Sequence, residues 1–268
     1  MNNKLETTYA KLIQLASTLP GVQSIGRSGG RALPASPADG DIDVFLYCDV
    51  IPSGDARKAI LDNITAELDT AKVGVFSGGR WGVGDFARIQ GVETWLMYFT
   101  MEQAAAEVDA VLRGEQPDRE GGFYPTGRCA MYLGMEVLLD RGGFLRGMKE
   151  KVAHYPETLA KQLAGHHLSA LGDVEDLERA VARKDPLFYH YALDNALDHF
   201  LQALFARNLV FFPSRKRSLE HIAGFAVKPA DCEQRILDVL RLGGAAEGIG
   251  QSYGLWTELV KGLKKLAE

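Results

Sequence analysis

The chain has 268 residues, enough for one large domain or two modest ones with a substantial core. Its apolar fraction of 46% and charged fraction of 24% are those of a globular protein, and no apolar run approaches the ~20 residues of a membrane span. A net charge of −5 speaks against a general nucleic-acid binder, and three scattered cysteines (Cys48, Cys129, Cys232) suit a reducing cytoplasm and form no zinc motif.

Apolar residues at helical spacing from Leu5 to Leu19 predict a first helix, stopped by Pro20-Gly21. A short strand, Val22 to Gly26, leads into a Gly-, Pro-, Ala- and Ser-rich loop from Arg27 to Gly40. Asp41 to Tyr47 reads as a strongly apolar strand with carboxylates at its start. Ala56 to Leu68 is expected as a helix and Lys72 to Phe76 as a strand. The glycines of Ser77 to Gly84 mark a turn, and Phe86 to Gln90 with Val92 to Phe99 form a hairpin at Gly91. Met101 to Leu112 is helical, and Arg113 to Gly127 has the composition of a linker.

From Arg128 onward only helical periodicity is legible, with segments Cys129–Leu139, Phe144–Leu163, Leu168–Ala182, Leu187–Leu209, Ser218–Phe225, Ala230–Leu242 and a last helix from Ile249. Strands followed by helices in separate runs predict an α+β fold: a mixed sheet flanked by helices, then an all-helical region. The expected domains are 1–115 and 125–268.

The chemistry concentrates in Asp41-Ile42-Asp43. Alternate residues of a strand share a face, so the two carboxylates project together and repel unless a cation lies between them. Mg²⁺ suits hard oxygen ligands of this kind and keeps positions for substrate phosphates. Upstream, Ser28-Gly29-Gly30 offers a hydroxyl and backbone N–H groups that phosphates can approach closely.

A Gly/Ser turn after one strand, a loop of about a dozen residues and Asp-x-Asp opening the next strand resemble the signature of nucleotidyltransferases of the DNA polymerase beta superfamily. Here Arg27 stands where the family often has its first glycine, and Gly40 where it usually has Ser or Thr. The resemblance implies an N-terminal nucleotidyltransferase-type domain and metal ions held by Asp41 and Asp43. It also implies a third carboxylate from a later strand, which Glu93 supplies if it faces the pair. In another register Trp95 takes that position, and Asp85 is the substitute candidate.

More loosely, the whole chain resembles an uncharacterised bacterial family of nucleotidyltransferase-like proteins related to the aminoglycoside and lincosamide nucleotidyltransferases. The likeness rests on the Asp-x-Asp block, on Trp81-Gly82-Val83-Gly84-Asp85, and on Leu204 to Asn208 followed by Phe211-Phe212-Pro213-Ser214-Arg215-Lys216. It implies that Lys216 faces the nucleotide phosphates.

In the helix from Leu187 to Leu209, His190, Asp194 and Asp198 follow one another at i, i+4 beside an apolar stripe. They form either a solvated, partly paired acidic face or, with Asp194 and Asp198 turned to a cleft, a contact for a polar acceptor. His166-His167 lies in a helical stretch with no ligand set near it in sequence, which argues against a metal role.

The resulting expectation is a cytoplasmic, Mg²⁺-dependent enzyme. It would transfer a nucleoside monophosphate from an NTP, ATP foremost, to a hydroxyl of a small molecule (aminoglycoside-like among the options) or of a protein. The alternative is a non-catalytic nucleotide-binding or regulatory protein of the same fold. Nucleic acid and membrane are not expected partners, and a homodimer stays open.

Overall fold

The structure is a computed structural model that describes residues 3–29, 33–34, 37–115, 117–120 and 122–266. It divides into two compact units, the first made of residues 1–110 and 128–154, the second of 111–127 and 155–268.

The first unit carries a six-stranded mixed sheet. Its elements are α1 (Asn3–Ser17), β1 (Val22–Ser28), β2 (Ile42–Cys48), α2 (Gly54–Asp62), β3 (Thr70–Ser77), β4 (Val83–Ile89), β5 (Val92–Thr100), most of α3 (Met101–Leu112) and α4 (Pro125–Gly134), β6 (Glu136–Asp140) and α5 (Phe144–Lys151). The strand order is β3-β4-β5-β2-β1-β6, with β2 and β5 parallel and the other neighbours antiparallel.

Strand alternation sorts the residues of β2 between two faces. Ile42, Val44, Leu46 and Cys48 join a core with Leu5, Leu12 and Ala16 of α1 and Ile60 and Leu61 of α2. The α1 residues recur at helical spacing, and each buried leucine or isoleucine contributes about 1.5–3 kcal/mol relative to exposure. On the other face Tyr47 meets Phe144 and Tyr132, with ring centroids 5.1 and 5.8 Å apart. Because β2 is covered on both sides from Val44 onward, it reads as a nearly continuous apolar run. Close approach also explains a glycine in β1: a Cβ on Gly26 would lie 2.2 Å from the Met135 Sδ.

Asp85 is fully buried on the α1/α2 side of the sheet, where it pairs with Arg57 and accepts the Gly74 N–H at 2.9 Å. Arg57 also donates to the Pro52 carbonyl and lies over the Tyr98 ring. Burial raises the Asp85 pKa, opposed by the Gly74 N–H and the Arg57 charge.

The helical reading of Cys129–Leu139 is corrected by the structure. Helix α4 ends at Gly134, and Glu136–Asp140 becomes edge strand β6, antiparallel to β1. The long helix expected over Phe144–Leu163 is likewise two helices, α5 and α6 (Glu157–Ala170), with Pro156 capping the second. Proline lacks an N–H and suits a helix start, not an interior.

The second unit is helical. Besides α6 it holds α7 (Glu175–Arg183), α8 (Pro186–Arg207), α9 (Ser218–Ala223), α10 (Cys232–Gly243) and α11 (Ile249–Lys265). Its centre is α8, started by Asp185, whose side chain accepts the Phe188 N–H at 3.1 Å, and by Pro186 in the first turn. Leu193, Leu197, Phe200, Leu204 and Phe205 of α8 pack with Trp256, Leu259 and Leu263 of α11 and with Ile236 of α10. The fold is thus α+β, a mixed sheet with flanking helices followed by a mostly helical region. Among the described residues no helix is long and apolar enough to cross a membrane.

Candidate functional site

The start of β2 gathers most of the residues singled out in the first unit. Ser28, the last residue of β1, pairs directly with Asp43 across the antiparallel β1–β2 ladder. Gly29 follows with φ +94°, a conformation L side chains rarely adopt, and a Cβ there would meet nothing within 4 Å. The chain therefore turns away from β1 with an exposed backbone beside a hydroxyl. Gly30, the third member of the expected phosphate turn, lies outside the described residues.

Asp41 is exposed and immediately precedes β2, after Gly40 at φ +129°. Asp43 is half-buried and shares its β2 face with Phe45 and Tyr47. Further along that face Phe45 and Phe99 are covered by the guanidinium of Arg128, 5.8 and 5.0 Å from their ring centroids. Arg128 is held by the Arg80 carbonyl and by Glu107 at 3.4 Å. Asp43 lies two residues before Phe45 on this face, toward the strand start. Asp41 and Asp43 are thus two residues apart in sequence at the start of β2, and Ser28 and Gly29 lie on the adjacent strand end.

On the parallel neighbour β5, Trp95 stands directly opposite Asp43, and Thr94 opposite Ile42. Trp95 packs between Phe86 and Phe76, with centroid distances of 4.8 and 5.9 Å. Glu93 lies one step before Thr94 and pairs across the hairpin with Arg88 at 2.9 Å, both side chains over 40% exposed. Asp85 pairs with Leu96 and belongs to the opposite face, so the sheet separates it from Asp43.

In the second unit Asp194 and Asp198 meet one cation. Arg215 donates to the carboxylates of both and to the Asp194 carbonyl. Asp198 is buried and further engaged by Arg119 at 2.6 Å and by the Tyr124 hydroxyl at 2.6 Å. Burial works to lower the Arg215 pKa, but the hydrogen bonds and charges of the two aspartates outweigh it and raise the guanidinium above its ordinary value. The acidic face read from the sequence is therefore a paired one. Asp194, half-exposed, also lines a cavity of about 400 Å³ with Arg119, Asp173, Asp176, Asn195 and His199. Lys216 is exposed, its N–H bonded to the Ser214 Oγ at 3.1 Å.

The sequence shows no ligand set beside His166-His167, but the fold brings distant residues to His167. His199 of α8 and Asp118, 32 and 49 residues from His167, come together with it so that one donor atom from each lies within 4.8 Å of the others. Helix packing and the loop after α3 create this proximity. Only the types of residue, and not their meeting, were visible in the sequence.

A family described as a domain of unknown function (DUF4037) matches residues 124–216, about a third of the chain and C-terminal to Asp41 and Asp43. No curated protein matches. Among solved structures, a nucleotidyltransferase-like protein from Exiguobacterium sibiricum 255-15 is 14% identical, with 98% of this chain and 74% of that one covered and a TM-score of 0.48.

Proposed function

We propose that this protein transfers a nucleoside monophosphate from an NTP to an acceptor hydroxyl, using the strand start at Asp41 and Asp43. The observation that carries the reading is the direct pairing of Ser28 with Asp43, followed by the left-handed Gly29. It brings a hydroxyl and a glycine turn next to Asp43 on adjacent strands, an arrangement that suits a phosphate and a hard cation.

Asp41 and Asp43 would hold Mg²⁺, and Ser28 with the Gly29 N–H would bind the terminal phosphates. When bound, the cation supplies charge neutralisation at the phosphate oxygens. The acceptor oxygen attacks the α-phosphorus and the bond to the pyrophosphate oxygen breaks. The acceptor proton passes to solvent or to a carboxylate such as Glu93. Lys216, in the second unit, is an exposed ammonium of the kind that suits a phosphate. Asp194 is the better acceptor contact of the α8 pair. The cavity it lines holds three aspartates against one arginine, which favours a polar or cationic acceptor such as an aminoglycoside-like molecule.

A second reading, nucleotide binding without turnover, is favoured by Trp95 opposite Asp43 and by the engagement of Glu93 with Arg88. The decisive experiment is calorimetry of the four NTPs with and without Mg²⁺, for the wild type and Asp41→Asn/Asp43→Asn. Mg²⁺-dependent binding lost in the double variant supports the site, and labelled NTP then separates transfer from binding. A folded wild-type protein that binds no NTP overturns both readings.

A further inference from the structure

The strongest unassigned constellation lies within the second unit, where α6, α8 and the segment around Asp118 converge. The Nδ1 atoms of His167 and His199 face each other at 2.9 Å. His166 Nε2 lies 2.7 Å from Asp118 Oδ1. His167 is fully buried, and its Nε2 has no hydrogen-bond partner among the described residues. Two imidazole nitrogens facing each other within a buried cluster that also brings a carboxylate close require an explanation.

Two arrangements reconcile facing imidazole nitrogens: a shared proton or a shared cation. A shared proton uses only the two Nδ1 atoms. A cation uses all three groups. At a metal–nitrogen bond of about 2.1 Å, donors about 2.9 Å apart subtend roughly 90°, and a small ring rotation opens this toward a tetrahedral angle. The donor set, two imidazoles and one carboxylate, is that of a borderline dication such as Zn²⁺, not of Mg²⁺ or Ca²⁺.

We infer that His167, His199 and Asp118 form a binding site for a zinc-class divalent cation, with His166 as the residue that positions the Asp118 carboxylate. His166 plays the part that outer hydrogen bonds commonly play at such sites. It engages one carboxylate oxygen and leaves the other to ligate. Three protein donors leave a coordination position for water. The bound cation would tie the segment 117–120 to the packed pair α6 and α8. The site uses none of the residues assigned to nucleotide binding.

The test uses the full chain, stripped with a chelator and confirmed as folded by circular dichroism. Zn²⁺ is titrated by calorimetry, and Co²⁺ by its visible d–d absorption. The expected result is one Zn²⁺ per chain and Co²⁺ bands of a nitrogen/oxygen site without thiolate charge transfer. His199→Gln and Asp118→Asn should each weaken Zn²⁺ binding more than tenfold. His166→Ala should weaken it about tenfold while leaving the stoichiometry at one. Because His167 is buried, its replacement is not needed for the test. Asp41→Asn/Asp43→Asn should leave Zn²⁺ binding unchanged, which separates this site from the proposed nucleotide site. Absence of Zn²⁺ binding by the folded wild type overturns the inference, as does binding that survives both His199→Gln and Asp118→Asn.

Discussion

Asp43 and Trp95 stand opposite each other in the parallel ladder between β2 and β5. Under the proposed function a third carboxylate is expected from a strand neighbouring Asp43, and the residue facing Asp43 on β5 is an indole packed against Phe86. A missing ligand weakens the grip on the cation and leaves the acceptor proton without a nearby base. Trp95→Asp should therefore raise Mg²⁺-dependent NTP turnover by tenfold or more over a slow wild type, whereas Trp95→Ala should not. Measured with labelled NTP, equal rates for the two variants would remove Trp95 from the explanation.

Glu93 is the other claimant. It is exposed and already paired with Arg88 across the β4–β5 hairpin. An exposed pair of this type contributes at most about 1 kcal/mol. Glu93→Gln should lower stability by no more than that and leave Mg²⁺-dependent NTP affinity within about twofold of wild type. A turnover loss of a hundredfold at unchanged affinity would instead assign Glu93 as the base.

How much of this was visible in the chain follows from where each signal resides. Strands β1, β2, β4 and β5 were legible because their apolar residues alternate or run continuously, and α1 because its buried residues recur at helical spacing. Strand β6 was not. Cys129, Tyr132 and Met135 keep a helical spacing that runs up to Glu136, and only pairing with β1 makes an exposed five-residue edge into a strand. The register that sets Trp95 against Asp43 comes from the parallel pairing of β2 with β5, strands distant in sequence, so the sequence left Glu93, Trp95 and Asp85 as rivals. The pairing of Asp194 and Asp198 with Arg215 and the meeting of His167, His199 and Asp118 are long-range consequences of helix packing, with no local trace.

The network around Asp198 gives a sharp stability prediction. Its carboxylate is nearly inaccessible and is held by Arg215, Arg119 and Tyr124. Removing it leaves two guanidinium groups and a hydroxyl without their partner. Breaking a buried pair in this way typically costs 3–5 kcal/mol, and the partial exposure of both arginines places the cost near about 3 kcal/mol. Asp194 is half-exposed, so Asp194→Ala should cost about 1 kcal/mol or less. Urea unfolding of the two variants measures the contrast. Equal losses would show that Asp198 is not the centre of the network.

Acid should weaken the junction between β6 and α5 through Asp140. Its carboxylate accepts the Ser24 hydroxyl at 2.7 Å and the amides of Leu145 and Arg146 at 3.1 and 3.0 Å, serving as an acceptor for the exposed N–H groups at the start of α5. Burial works to raise its pKa, but these donors outweigh it and hold the carboxyl below its ordinary value. A carboxyl whose folded pKa is depressed binds fewer protons in the folded state. Its stabilisation is thus complete above the unfolded pKa of about 4 and is lost as pH falls through the folded value. Asp140→Ala should cost about 1–2 kcal/mol at neutral pH, the scale of a lost helix-start acceptor. Thermal unfolding of both proteins across the acid range should show the gap constant down to about pH 5 and closing below it. A gap that stays constant to the lowest pH at which both proteins fold would mean that the charge on Asp140 contributes nothing, and that only its shape is used.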